Sequence, residues 1–355
     1  MGDVKSWDAI IVGAGIIGLS LAIELRKRGL QVLILDRGEP GREASWAAGG
    51  MLVGSESETL PALQSLAAAS ARMYPEFVHE LRDESGLKID LRSDGTLLWE
   101  SDAHARRPAW HPLPAPLPDL EPNLPAAALE TEPLFLREQC VDPRDLVTAA
   151  VKAARHRGVD FSSGDQVISI DIDGGRVTGI HTNKTSFSSG TVINCAGAWA
   201  GQIGPHAFPT RPVKGQMLCV VMPEKNFLRH VIRTPDVYLI PRSNGRLLIG
   251  ATVEESGFDK QTVPETIQKL RSEALKLMPR LSEARILEAW AGLRPGTPDK
   301  LPILGTTPTM GYFVATGHFR DGILLAPITA KVMANVVTGS TPILDLSAFS
   351  AARFG

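Results

Sequence analysis

From Asp8 to Asp36 the chain packs a hydrophobic strand, a glycine turn, a helix and a second strand end to end. Ala9 to Val12 is a short apolar, β-branched run of the kind that a strand buried on both faces requires. Gly13, Gly15 and Gly18 follow in the G-x-G-x-x-G spacing. Ile17, Leu21 and Leu25 then recur every four residues, which predicts a helix with one buried face. Gly29 stops that helix, and Val32 to Leu35 forms a second buried strand that ends at Asp36. Strand, turn, helix, strand and terminal acid together predict a dinucleotide-binding unit. Gly13 permits the sharp turn, Gly15 lets backbone approach a pyrophosphate, and Gly18 lets helix and strand pack closely. The free N–H groups and positive dipole end of the helix then hold phosphate charge. Asp36 is placed to accept the adenosine ribose hydroxyls and to repel a 2′-phosphate. Arg37 beside it weakens that exclusion slightly and otherwise reads as a solvated surface charge.

The chain has 355 residues, enough for two domains, and a formal net charge of −2. That balance offers no basic patch for nucleic acid or an anionic membrane, so neither is expected as a partner. Cys140, Cys195 and Cys219 are odd in number and unrelated in spacing, and read as buried residues in a reducing cytoplasm. The eight histidines are scattered singly, and no metal site is expected. Asp3, Lys5 and Asp8 break the only region where a signal peptide would sit, and no run reaches the length of a membrane span.

Further along, Gly41 to Leu52 is dense in small residues with Gly49 and Gly50 paired, which suits backbone lying against a flat ligand. Leu60 to Arg82 reads as a helix with Pro61 early in it. Leu91 to Glu100 reads as a hairpin turning at Ser93-Asp94-Gly95, and the seven prolines from Pro108 to Pro125 read as an extended surface loop. A helix capped by Asp142 is predicted to run to about Arg157. Val159 to Gly190 carries three short strands with turns at Gly174-Gly175 and Asn183-Lys184. Thr191 to Gly201 is a buried strand running into small residues, either a second backbone approach to the cofactor or a plain strand-to-helix turn. Pro212 to Met222 and a hairpin turning at Ser243-Asn244-Gly245 predict a second, largely antiparallel sheet. Thr262 to Met278 is an amphipathic helix, Ala289 to Gly305 places one arginine among apolar and turn residues, Tyr312 to Thr316 is a strand, and a last helix starts at about Ala326. The fold class expected is α/β, α+β overall, with a Rossmann-type domain that opens and closes the chain around an inserted antiparallel-sheet domain. The boundaries are 1–85, 140–211 and 296–355 for the first domain, and 86–139 and 212–295 for the second.

The N-terminal unit, Ala47-Ala-Gly-Gly-Met-Leu52, Asn194-Cys-Ala-Gly-Ala-Trp199, Trp290-Ala-Gly-Leu-Arg-Pro-Gly-Thr297 and Gly317-His-Phe-Arg-Asp-Gly-Ile-Leu-Leu-Ala-Pro327 occur in one order. In these motifs the chain resembles the D-amino-acid oxidase superfamily, and within it the glycine oxidases of thiamine biosynthesis, from Asp8 to about Val337. The resemblance implies noncovalent FAD rather than NAD, since Phe319 stands before Arg320 where some relatives carry cysteine nearby. It implies oxidation of a small amino acid (glycine, sarcosine, D-alanine or D-proline) to an imine, hydrolysed to a 2-oxo acid and ammonia or an amine. O2 would then be reduced to hydrogen peroxide, in a cytoplasmic homo-oligomer.

The resemblance also assigns residues. Arg294 matches the carboxylate-binding arginine, a task that suits its planar fork; the alternative is an arginine reaching the surface beside Pro295. Tyr238 matches the active-site tyrosine, against the alternative of a core tyrosine, and Arg320 matches a second arginine near the flavin, against that of a salt-bridge partner. Cofactor contacts carry over onto Gly13, Ala14, Gly15, Ile16, Ile17 and Gly18, and onto Asp36, Arg37 and Ser45. They extend to Ala47, Ala48, Gly49, Gly50 and Met51, to Val167, and to Cys195, Ala196, Gly197 and Trp199. Near the C-terminus they fall on Arg294, His318, Arg320, Asp321, Gly322, Ile323 and Leu324. No general base is expected. Val253 stands where a larger side chain such as methionine belongs, which opens the pocket to substrates larger than glycine. Two other readings stand beside this one: a D-amino-acid dehydrogenase passing electrons to a quinone or protein, and a non-catalytic dinucleotide-binding module.

Overall fold

The computed structural model describes residues 6–54, 59–99, 111–125 and 132–355. In chain order the first elements are β1 (Ala9–Val12), α1 (Ile16–Lys27), β2 (Val32–Asp36), α2 (Ala44–Ala47), β3 (Met51–Leu52) and α3 (Pro61–Ser85). There follow β4 (Leu91–Arg92), β5 (Thr96–Leu98), α4 (Leu117–Leu120), β6 (Leu134–Leu136), β7 (Gln139–Val141) and α5 (Pro143–His156). Next come β8 (Asp160–Ser163), β9 (Val167–Asp173), β10 (Arg176–Thr182), β11 (Ser186–Ser188), β12 (Val192–Asn194), β13 (Arg211–Val221) and β14 (Val231–Arg233). The chain closes with β15 (Tyr238–Pro241), β16 (Arg246–Gly250), α6 (Pro264–Leu277), β17 (Arg285–Gly296), β18 (Ile303–Thr306), β19 (Tyr312–Thr316) and α7 (Gly322–Val337).

One sheet has the order β18-β19-β12-β1-β2-β8, parallel except for β18. β1 lies inside it and is buried on both faces, which is why four consecutive apolar residues occupy it. Ala9 and Ile11 join the core shared with α1, α3, α5 and α7. Ile10 and Val12 join the opposite core, beneath the β9-β10-β11 meander. The second large sheet has the order β17-β13-β16-β15-β14-β5-β6 and is antiparallel apart from the β14–β5 pair. Leu218, Leu239 and Ile249 on one of its faces pack with Leu270 and Ala274 of α6. Met217, Tyr238 and Ile240 are on the other face.

Four expectations change. The hairpin expected from Leu91 to Glu100, of which Glu100 lies outside the described residues, does not form: β4 pairs with β7, whereas β5 pairs with β6 and β14. Gly95 does adopt the left-handed φ of +100° that a turn residue would have. Its task is close packing, however, because a Cβ there would lie 2.5 Å from the Phe135 ring. The segment from Val159 holds four strands, since β8 precedes the meander and pairs with β2. The proline-rich stretch, whose residues 108–110 lie outside the described residues, contains the single helical turn α4 opened by Pro116 and Leu117.

α7 begins at Gly322, four residues before the predicted start, and carries Pro327 inside it. An interior proline deprives the carbonyl four residues back of its donor. That carbonyl belongs to Ile323, and the Tyr74 hydroxyl of α3 donates to it at 2.6 Å, while Ser70 Oγ serves Leu324 O at 2.6 Å. A tertiary donor thus replaces the lost helical one. Among the described residues no helix is long and apolar enough to cross a membrane.

Candidate active site

A cavity of about 1070 Å³ runs from the tip of β2 to the inner face of the seven-stranded sheet. At its first end α1 presents its N-terminus from Gly15, and Ser45 Oγ accepts from Ile16 N at 3.0 Å. Gly13 has φ +106°, and a Cβ on it would lie 2.5 Å from Cys195 O, so β1 and β12 meet there through bare backbone. Asp36 closes the turn: its carboxylate accepts from Ala14 N and Gly38 N, both at 2.8 Å. Burial raises the Asp36 pKa, and those two hydrogen bonds pull against the shift. Arg37 is not a free surface charge. Its guanidinium stacks 3.6 Å from the centre of the Trp199 ring and pairs with Glu43 at 3.3 Å.

The other end is built by strand register. Trp290, Met217, Gly250, Tyr238, Arg233 and Leu98 lie directly opposite one another on successive strands, so they share a face. A Cβ on Gly250 would sit 2.7 Å from Tyr238 Cε2 and 2.8 Å from its hydroxyl, so the tyrosine ring lies over that glycine. Arg294 is placed in the same way. A Cβ on Gly215 would meet both its terminal nitrogens at 2.4 Å. Arg294 Nη1 donates to Lys214 O at 3.2 Å and Thr252 O at 3.1 Å, which occupies both of its hydrogens and leaves Nη2 and Nε for other acceptors.

Electrostatics tie the neighbouring groups together. Burial lowers the Arg294 pKa, the Tyr238 hydroxyl opposes this, and the Arg320 cation adds to it. The guanidinium nevertheless remains charged. Burial pushes the Tyr238 phenol up, against the pull of Arg294 and Arg320. Asp321, just before α7, is pushed up to about 6 by burial, with Arg320 drawing it down. His318 is buried, its Nε2 lies 3.1 Å from Thr329 Oγ1, and burial lowers its pKa to about 3, so it is neutral at ordinary pH.

Nearly all the residues singled out from sequence line this one cavity, Tyr238, Arg294 and Arg320 among them. Ala14, Gly18 and Leu324 do not. Ala14 is buried behind the turn and contributes its N–H to Asp36. Gly18 packs on β1, where a Cβ would be 2.1 Å from Gly13 O. Leu324 belongs to the hydrophobic core. Sequence reasoning missed Gly215, Gly250 and Thr252. Glycines within strands are the signal that could have found the first two, since such residues mark close approach. Arg242, also missed, is buried just after β15 and donates at 2.6 Å to the carbonyl of Gly49, which lines the cavity.

The family described as DAO, FAD dependent oxidoreductase, matches residues 8–336. The chain belongs to that family. The glycine oxidase of Pseudomonas aeruginosa is 33% identical over 357 residues, covering 97% of this chain and 98% of its own. The hydrogen cyanide synthase subunit HcnC of the same species is 33% identical over 412 residues, covering 99% and 97%. The crystal structure of glycine oxidase from Geobacillus kaustophilus superposes with a TM-score of 0.91 at 30% identity, over 99% of both chains. The protein is therefore an FAD-dependent oxidoreductase of the amino-acid oxidase type.

The cavity fits the cofactor of the DAO family. Gly15 places no side chain of its own at the α1 N-terminus, where a pyrophosphate needs backbone donors beyond the Ile16 N–H that Ser45 takes. Asp36 retains acceptor capacity beyond its two backbone bonds for ribose hydroxyls. The cavity volume stands at the upper end of small-molecule sites, as an extended dinucleotide plus a small substrate demands.

Proposed function

We propose that the protein oxidises the C–N bond of a small amino acid, with Arg294 holding the substrate carboxylate and O2 as the electron acceptor. The observation that carries this reading is the Arg294 guanidinium itself. It is half-buried on the cavity wall, with Nη1 spent on backbone carbonyls and its pKa lowered by burial. A charge desolvated in this way favours an anionic ligand, and the remaining donors of the fork match a carboxylate. Tyr238 adds a neutral donor to the same anion, and Arg320 raises the positive potential around it. FAD, when bound, supplies the electron acceptor for the substrate Cα–H bond. The residues supply orientation, since fixing the carboxylate fixes where Cα points. Val253 lines the cavity and is half exposed, which supports substrates beyond glycine, such as sarcosine, D-alanine and D-proline. In this reading the lobe of 1–85, 140–211 and 296–355 holds FAD, and the lobe of 86–139 and 212–295 holds substrate.

The test is anaerobic bleaching of the bound flavin by an amino acid and by the matching amine without its carboxylate. The native protein should prefer the amino acid widely. Arg294→Lys should lose on the order of 2–4 kcal/mol of that preference, roughly 30- to 1,000-fold in kcat/KM. An amine that is the better substrate of the native protein would overturn the assignment. Peroxide release in air distinguishes O2 from a quinone or protein acceptor.

A further inference from the structure

We infer that Thr252 is a positioning residue for Arg294: its hydroxyl takes over a sheet hydrogen bond and so frees its own carbonyl to hold the guanidinium. This rests on the reading of Arg294 as the carboxylate binder. β16 ends with Gly250 opposite Met217, and the next bridge sets Lys214 opposite Glu254. Three steps along β13, from 217 to 214, therefore face four steps from 250 to 254, and the extra residue makes a bulge. Within it Thr252 N donates to Gln216 O at 3.3 Å. A regular antiparallel pair would return a bond from Gln216 N to the Thr252 carbonyl. Here Gln216 N donates instead to Thr252 Oγ1, at 2.9 Å. A backbone N–H has one hydrogen, so the Thr252 carbonyl is left to Arg294 Nη1 at 3.1 Å.

The surrounding groups leave the hydroxyl one orientation. Gln216 N can only donate, so Oγ1 accepts there and must give its own hydrogen to the Glu254 carboxylate, with which it makes a short hydrogen bond. Glu254 also accepts from Gln216 Nε2 at 2.9 and 3.2 Å. The fully buried Gln216 side chain is fixed in turn, because its Oε1 accepts from Val263 N at 2.7 Å. Thr252 Oγ1 thus both accepts and donates, and Thr252 and Glu254 each hold one donor of the buried Gln216 in place. Valine at 252 would keep the shape and remove the acceptor. Gln216 N–H would then draw on the residue 252 carbonyl and take from Arg294 one of its two anchors.

The experiment measures the Kd of glycolate, which carries a carboxylate without an oxidisable amine, from the absorbance change of the FAD holoenzyme. Thr252→Val should raise that Kd about tenfold, the loss of one good hydrogen bond. Thr252→Ser should return it to within about twofold of native, and FAD affinity should stay unchanged throughout. If the valine variant does not fold, Glu254→Gln, which weakens the acceptor that orients the hydroxyl, should raise the glycolate Kd about threefold. A native glycolate Kd that survives these substitutions overturns this inference alone, as does a loss that serine fails to restore. A native protein that binds no glycolate removes the carboxylate reading of Arg294, and this inference with it.

Discussion

Gly215 is a residue whose missing side chain matters more than most side chains present. The guanidinium of Arg294 lies where its Cβ would be, 2.4 Å from both terminal nitrogens. Arginine at a carboxylate site is expected from residue type, but the glycine beneath it belongs to another strand, and Gly250 does the same for Tyr238. Gly215→Ala should therefore push the guanidinium off its two carbonyls and cost at least the roughly 2 kcal/mol of a charge-assisted hydrogen bond, about 30-fold in kcat/KM for the amino acid. The amine without a carboxylate should be affected far less, and parallel stopped-flow reduction of the holoenzyme by the two compounds checks this. Equal losses would mean that the alanine disturbs the whole sheet rather than the arginine.

Elements depend on partners that local sequence does not name. The α1 region was predictable because its apolar spacing, its glycines and its stop at Gly29 are all local. The start of α7 was not, because Gly322 and Pro327 both argue against helix and the compensation comes from α3. Tyr74 stands 249 positions from the carbonyl it serves and is fully buried. Tyr74→Phe should leave Ile323 O buried without its donor and destabilise the protein by about 1–3 kcal/mol. Urea denaturation of the two apoproteins measures this as a lower midpoint at unchanged slope. The Ser93-Asp94-Gly95 stretch teaches the same point from the other side. Its composition suits a tight turn, yet Arg92 and Arg229 both pair with Asp94 as the chain crosses between sheets.

At the scale of the whole molecule, one cavity is walled by two sheets that the chain visits alternately. Walls of this kind hold an extended ligand by many noncovalent contacts, and Cys195, the cysteine that lines the cavity, is buried with its thiol pKa raised, so it is not a reactive thiolate. Acid precipitation of the holoprotein should accordingly release all the flavin into the supernatant; colour kept in the pellet would show a covalent bond. The nucleotide unit from Asp8 to Asp36, the cap at Asp142 and the hairpin at Asn244-Gly245 were legible in the sequence, because periodicity, capping and turn chemistry act between near neighbours. Arg294 and Tyr238 stand out in the sequence, and both line the cavity. Their orientation was not legible there, since it is decided by Gly215, Gly250 and Thr252 across the sheet. Tertiary structure alone settled which strands pair with β4 and β5, where α7 begins and what holds the guanidinium. Each of these is a contact between distant positions, and its energy exists only once the chain has brought them together.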